Sequence, residues 1–360
     1  MKKTIYILTS ILISISLLTI GCKSSKHANS IKDYKYAFVH SIWAKNKSII
    51  SLYDKNGIFL YDKEIPYGAI TGSAFKKYPD ETNNKIYYAS PEIGTKITDY
   101  IPEIDKNTLD VKKINIFEGS PAYFFDVDKN YIYAGMTSID DFDLYKTDIK
   151  ENKVIKKTTL QNKGTAFSIT TYKDKLYLIT TDLREPYSST LNILNSDNLN
   201  IEKSLPIGKG GSSMVTAILN NDLYVLNSTD EKGNPSNILV KINLRDYSVE
   251  HIELPFENLD NICVYKNNLY IPEYNSVEPL EGKLANNRIV MYDTKNGELK
   301  TIYSKNAQQF SYIKDDVYIS SDGQKMYFYS LDNFELKNSF NLVHENPDID
   351  SMYPVGFFIK

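Results

Sequence analysis

The sequence has 360 residues, with 42 Lys or Arg against 45 Asp or Glu and a formal charge of −3. That balance excludes the basic footprint with which a domain neutralises nucleic-acid phosphates, so nucleic acid is not an expected partner.

At the N-terminus, Lys2 and Lys3 precede an apolar stretch from Ile5 to Ile20, then Gly21-Cys22, after which Lys23-Ser24-Ser25-Lys26 turns polar. Charge, apolar core, small residue and cut site stand in signal-peptide order. The apolar stretch is 16 residues long and is interrupted by Thr9, Ser10, Ser14 and Ser16, whereas a stable membrane-crossing helix needs roughly 20 apolar residues. The expectation is a cleaved signal over residues 1–21 rather than a retained span. Leu18-Thr19-Ile20-Gly21-Cys22 resembles the lipobox of bacterial lipoproteins, with Thr19 in the place that usually holds Leu. The resemblance implies a diacylglyceryl group on Cys22, palmitate being a typical chain, and an extracytoplasmic protein anchored to a bacterial membrane. Two acyl chains make such an attachment lasting where one gives only marginal binding.

Residues 22–33 are short, polar and aperiodic, and read as the lipidated cysteine followed by a flexible tether. The second of the two cysteines, Cys263, lies in the apolar run Ile262-Cys263-Val264-Tyr265 with no His within ten residues. A buried small hydrophobe is expected there, not a nucleophile, and no disulfide framework forms.

From residue 34 to 360 the chain repeats. Six segments share an apolar-Tyr-apolar core, centred on Tyr87, Tyr133, Tyr177, Tyr224, Tyr270 and Tyr318, and Tyr34 to Phe38 is a looser seventh. Counting from Tyr36, the steps are 51, 46, 44, 47, 46 and 48 residues. A period of this size built from short strands points to propeller blades rather than a helical solenoid. After each Tyr strand comes a strand ending in Asp or Asn, a turn, and another strand, as in Arg288 to Asp293, Asn296-Gly297 and Glu298 to Ile302. The Asp/Asn with a following Asn or Gly is hairpin turn chemistry. Ahead of each Tyr strand lies a further apolar strand, at Ala74-Phe75, Ala122 to Phe125, Ala166 to Ile169, Met214-Val215, Ile262 to Val264 and Phe310 to Ile313.

The expected fold is therefore all-β: a seven-bladed β-propeller of four-stranded antiparallel blades. Blade 1 has no inner strand ahead of Tyr36, and the chain ends on an unassigned strand from Met352 to Ile359. That strand is expected to pair into blade 1 and close the ring, which removes an open sheet edge. By its repeat, the sequence resembles the bacterial seven-bladed propellers of the YVTN/quinoprotein-like and NHL-like group over residues 34–360. It lacks the Trp-Asp pair of WD40 blades and the tryptophan dock of quinone-cofactor propellers. The resemblance implies the fold and no particular activity.

In such a ring, inner-to-second and third-to-outer turns share one face, and the remaining connections share the other. The first set is short, as at Lys173-Asp174 and Lys266-Asn267; the second includes residues 89–100, 136–143, 180–190, 227–237 and 273–287. Function on a rigid scaffold concentrates in long connections, so this second face is the expected binding face. It carries Trp43, Tyr100, Arg184, Tyr187, Tyr274 and Arg288, and Arg forks and aromatic faces suit carboxylate, phosphate or ring-stacking ligands. The channel mouth is expected near Ser120, Thr165, Ser213, Gln308 and Gln309, whose hydroxyls and amides both donate and accept.

Asp140, Asp141 and Asp143 crowd one loop and form a divalent-cation candidate; no other cofactor is expected. Asp126-Val127-Asp128-Lys129-Asn130 matches the first half of an EF-hand loop but has Tyr131 and Thr137 where that loop needs Gly and Glu, so it reads as a turn. His27, His40, His251 and His344 show no metal-ligand spacing, and no Gly-x-Ser-x-Gly elbow occurs. The expected role is a non-catalytic envelope module that binds a peptide, glycan or partner protein. Alternatives are a propeller-type enzyme (lyase, lactonase or cyclase) and a scaffold subunit of an envelope complex.

Overall fold

The computed structural model describes residues 31–68, 70–73, 78–89, 99–116, 122, 124–136, 141–161, 163–211, 215–274, 287–345 and 352–360. Cys22 and the signal segment lie outside the described residues, as do Ser120, Ser213 and Asp140; Trp43 is described by its backbone alone.

Seven four-stranded antiparallel sheets form the ring. From inner to outer strand, blade 1 is Tyr353–Ile359, Tyr36–Ile42, Lys47–Tyr53 and Phe59–Ile65, and blade 2 is Asp80–Thr82, Lys85–Tyr87, Tyr100–Asp105 and Val111–Asn115. Blade 3 is Phe124–Val127, Tyr131–Met136, Phe142–Asp148 and Lys153–Leu160; blade 4 is Thr165–Tyr172, Lys175–Asp182, Ser188–Asn195 and Ile201–Lys209. Blade 5 is Val215–Leu219, Asp222–Leu226, Ile238–Asn243 and Val249–Glu253; blade 6 is Cys263–Tyr265, Asn268–Pro272, Arg288–Asp293 and Leu299–Tyr303. Blade 7 is Phe310–Lys314, Val317–Ser321, Lys325–Ser330 and Leu336–Asn341.

The C-terminal strand is the inner strand of blade 1, as the sequence predicts, with Tyr36 opposite Ile359 and Phe38 opposite Phe357. One inner strand differs from expectation. In blade 2 it is Asp80–Thr82, joined to Lys85–Tyr87 by the two-residue turn Asn83-Asn84, and Ala74-Phe75 lie outside the described residues. The tight turn fixes the hairpin register, so this strand is placed by its distance from the Tyr strand rather than by its hydrophobicity.

Turn chemistry explains why the strands end where they do. Between inner and second strands, Asn220-Asn221 and Asp315-Asp316 have positive φ at both residues, the signature of the turn whose twist matches a hairpin. Between third and outer strands every blade has one positive-φ residue: Gly57, Leu109, Asn152, Leu199, Tyr247, Gly297 and Phe334. The Asp or Asn closing the third strand caps the turn, as where Asp105 Oδ1 accepts from the backbone N–H groups of Asn107 and Thr108 at 2.8 and 3.2 Å. Leu109 and Leu199 hold this left-handed conformation while fully buried. Their packing offsets a backbone cost of about 1–2 kcal/mol.

The core is not one mass but seven wedges, one at each blade-to-blade interface. Tyr133 of blade 3 packs with Leu176 and Leu178 of blade 4, and Tyr224 of blade 5 with Leu269 and Ile271 of blade 6. The repeated tyrosines are thus interface wedges, and this is why their spacing is the most regular feature of the sequence. The C-terminal strand serves two wedges. Phe357 and Ile359 join the blade 7 side and Phe358 the blade 2 side, the alternation of a strand. Val355 also joins the blade 2 side because the pairing skips it between Gly356 and Pro354, a bulge that flips the parity.

Candidate functional site

Each inner strand starts on the long-loop face, and two cavities open there. The first, about 300 Å³, is the mouth of the central channel and is lined by Asp80, Thr216, Asn261, Ser311 and Tyr312 among others. Its polar groups are laced from blade to blade: Thr170 Oγ1 and Thr216 Oγ1 are 2.6 Å apart, and Asn261 Nδ2 donates to Ser311 O and Oγ, both at 3.0 Å. Deeper in, Asp126 Oδ2 accepts from the Thr171 backbone N–H and, at 2.8 Å, its hydroxyl. The EF-hand-like segment is therefore a turn and a clasp between blades, with Asp128 Oδ1 accepting from the backbone N–H groups of Asn130 and Tyr131. Tyr78 stacks on Tyr312, 3.7 Å between centroids and 4° between planes, linking blade 2 to blade 7 across the C-terminal strand. Cys263 also lines this mouth but is buried, and burial pushes its thiol up to about 12, so it is protonated and unreactive at neutral pH.

The second cavity, about 680 Å³, lies between blades 7 and 1, and its wall includes His40, His344, Gln324, Asn341, Leu342 and Pro354. The imidazole rings of His40 and His344 meet edge to face at 4.2 Å. Burial, with His344 as a second cause, pulls His40 down to about 3, and burial lowers His344 as well, so both are neutral at pH 7. Ser51 Oγ lies 2.7 Å from Asp62 Oδ1 and 2.8 Å from His344 Nδ1. A carboxylate oxygen only accepts, so the Ser51 hydroxyl donates to Asp62 and must accept from His344 Nδ1–H. This network assigns the tautomer: Nε2 of His344 carries a lone pair.

The ligand candidates from the sequence do not converge. Arg288 is a fork already filled, its Nε donating to Glu273 Oε2 at 3.0 Å and its Nη2 to Oε1, with its plane over Phe256 at 4.3 Å. Glu273 is buried, so the pair ties the ends of the blade 6 connection together. Arg184 is exposed and lies bidentate on Asp182 of its own blade at 2.8 and 2.9 Å. Tyr187 docks its backbone N–H on Glu231 O of blade 5, and Tyr274 docks its own on Asn258 O. Tyr100 stands under Lys113, whose Nζ is 4.4 Å from the ring centroid, beside Tyr67 near the outer edge of blade 2.

Of the channel-mouth set, Thr165 is buried in the inner strand of blade 4. Gln308 is buried, its Oε1 accepting from Tyr318 Oη at 2.5 Å. Gln309 reaches toward Gly323 of the second cavity, its Oε1 3.1 Å from where a Cβ on that glycine would stand. The channel lining lies a few residues further along each inner strand than this set.

Asp143 belongs to a strand, not to a shared acidic loop. Burial raises its carboxyl, but hydrogen bonds from Thr159 and Lys157 outweigh that and hold it below the usual range. Asp141 is exposed, and no group of three His, Cys, Asp or Glu among the described residues is arranged to hold a metal ion.

Sequence spacing does not reveal the histidine pair. Ser51 and His344 are 293 residues apart, and only ring closure brings blade 1 beside blade 7. The available signal is His40 itself, a titratable side chain directly after the apolar run Tyr36–Val39 on the same strand.

Sequence comparison finds no match among family models or curated proteins. Solved structures match by shape. BamB from Moraxella catarrhalis aligns at 9% identity over 82% of each chain with a TM-score of 0.50. The WD40 domain of Neurospora crassa Pan2 aligns at 7% identity over 77% of this chain and 80% of that one, with a TM-score of 0.55. Identities this low speak to architecture alone, and by that measure, as by its seven closed sheets, the chain is a seven-bladed β-propeller.

Proposed function

We propose that this protein is a non-catalytic binding module, tethered to an extracytoplasmic membrane surface of a bacterium by a lipid on Cys22, that presents its long-loop face to a peptide, glycan or protein ligand. One observation carries the reading: the channel mouth and the blade 7 to blade 1 cavity both open on that face, the first mixing hydroxyl and amide groups with apolar side chains and the second adding two imidazoles. The chain enters the propeller on the opposite, tight-turn face, where Lys360 Nζ donates to Ile31 O at 2.8 Å and Tyr34 Oη to Lys106 O. A tether leaving there turns the long-loop face away from the lipid surface.

Two measurements test this. A photo-crosslinking residue at Tyr274 or Gln324 should capture a discrete ligand in cells and the same group at Lys266 on the tight-turn face should not; capture only from Lys266 would reverse the assignment. Labelled palmitate should be incorporated and lost in Cys22→Ala, and an unlabelled protein would remove the anchor.

The enzyme alternative draws on the His344–Ser51–Asp62 relay, which holds a neutral imidazole with a free lone pair. It predicts turnover that His344→Gln abolishes without loss of ligand capture.

A further inference from the structure

The blade 7 to blade 1 cavity has a more specific chemistry than the face as a whole. At about 680 Å³ it is of a size that holds a small organic ligand. Among the described residues one Asp and one Lys line it, Asp322 and Lys325, and its two imidazoles are neutral, so the described wall offers an ion no net countercharge. Asp322 is already committed to its own loop: Oδ1 accepts from the backbone N–H groups of Gln324 and Lys325 at 2.9 and 2.7 Å, and Oδ2 from Tyr327 Oη at 2.7 Å.

What remains is a mixture of neutral donors and acceptors. The Gln324 and Asn341 amides each offer both. His344, whose Nδ1–H is turned back to Ser51, leaves Nε2 as an acceptor at its other edge. His40 is 5% exposed, lines the same cavity and has a buried Nδ1 with no hydrogen-bond partner among the described residues. A buried polar nitrogen left in this state costs about 1–3 kcal/mol. Between these groups Leu342 and Pro354 supply apolar surface. A ligand that matches such a wall is neutral, carries several hydroxyls that both donate and accept, and has an apolar C–H face.

We propose that this cavity binds a neutral sugar, with a sugar hydroxyl donating to His344 Nε2 and the amides of Asn341 and Gln324 holding neighbouring hydroxyls. The proposal rests on the reading of the long-loop face as a ligand face and names the ligand class of one site on it.

The test titrates the full-length protein in detergent with glucose, galactose, N-acetylglucosamine and its β-1,4-linked trimer, following the ¹⁵N resonances of its histidines. His344 should show an unprotonated Nε2 in the free protein, and at least one sugar should shift that resonance saturably. Asn341→Ala, an exposed position that leaves the fold intact, should weaken binding about tenfold, one hydrogen bond's worth. Lys300→Ala, exposed on the outer strand of blade 6, should leave it unchanged. The proposal is overturned by a protonated Nε2 in the free protein, by no saturable shift from any of the four sugars, or by binding indifferent to Asn341→Ala. It is also overturned if acetate or sulfate binds in their place and Lys325→Met abolishes that binding. Failure with sugars while Gln324 still crosslinks a ligand in cells removes the sugar and leaves the ligand face; absence of crosslinks from the whole face removes the broader reading.

Discussion

Lys106, in a turn of blade 2, donates through Nζ to the carbonyl oxygen of Ile359, the last strand residue of blade 1, at 3.2 Å. Lys314 of blade 7 donates to the same oxygen at the same distance, so two side chains from flanking blades clasp the strand that closes the ring. Lys106 is buried and also contacts Glu81. Removing one member of a buried pair leaves the other uncompensated, which costs about 3–5 kcal/mol where both are fully buried. Glu81 is partly exposed, so Lys106→Met should cost less, about 2–3 kcal/mol, read as a lower denaturant midpoint at unchanged slope.

Deleting residues 350–360 removes the inner strand of blade 1 together with Phe357, Phe358 and Ile359 from two wedges. The truncated chain should show no cooperative transition in calorimetry. A transition at the full-length temperature would mean that the ring does not depend on this closure.

Acid should weaken the protein through His40. The imidazole titrates near 6.5 in the unfolded chain and about 3 in the folded one. Between those values the unfolded state binds the extra proton, so the His40 contribution is complete above pH 6.5 and falls as the pH drops, by about 1.4 kcal/mol per pH unit. Urea unfolding at a series of pH values should show this slope between 6.5 and 4, and His40→Gln should flatten it.

The left-handed turn residues divide by burial. Lys173 is exposed at φ 57°, and Lys173→Gly should gain up to about 1 kcal/mol by releasing strain. Leu199 has similar geometry at φ 60° but is fully buried. Leu199→Gly should lose about 2–3 kcal/mol, since the lost packing outweighs the relief. Opposite signs in melting temperature check the argument.

Arg288→Ala should destabilise the blade 6 connection by about 2–3 kcal/mol, because Glu273 stays buried without its partner while Arg288 itself is partly exposed. Ligand capture by Gln324 should be unchanged. Lost capture with unchanged stability would return Arg288 to the role that its position in a long loop suggested.

The blades were legible because a propeller writes the same local physics seven times. Apolar alternation around Tyr87 through Tyr318 marks the second strands, and the Asp or Asn of residues 105, 195 and 293 marks the end of the third, because turn geometry is set by neighbours in sequence. The missing inner strand of blade 1, with a surplus strand at the C-terminus, was enough to fix closure. Side-chain partnership was not legible. Nothing in the sequence shows that the forks of Arg288 and Arg184 are filled by Glu273 and Asp182, or that Asp143, next to Asp140 and Asp141 in sequence, faces Lys157 across the sheet. The sequence by itself determined the repeat, the strand count and the closing strand, each a consequence of short-range periodicity. Only the tertiary structure decided which polar groups remain for a ligand, because the contact of His40 with His344 and the Asp62–Ser51–His344 relay exist solely where the two ends of the chain meet.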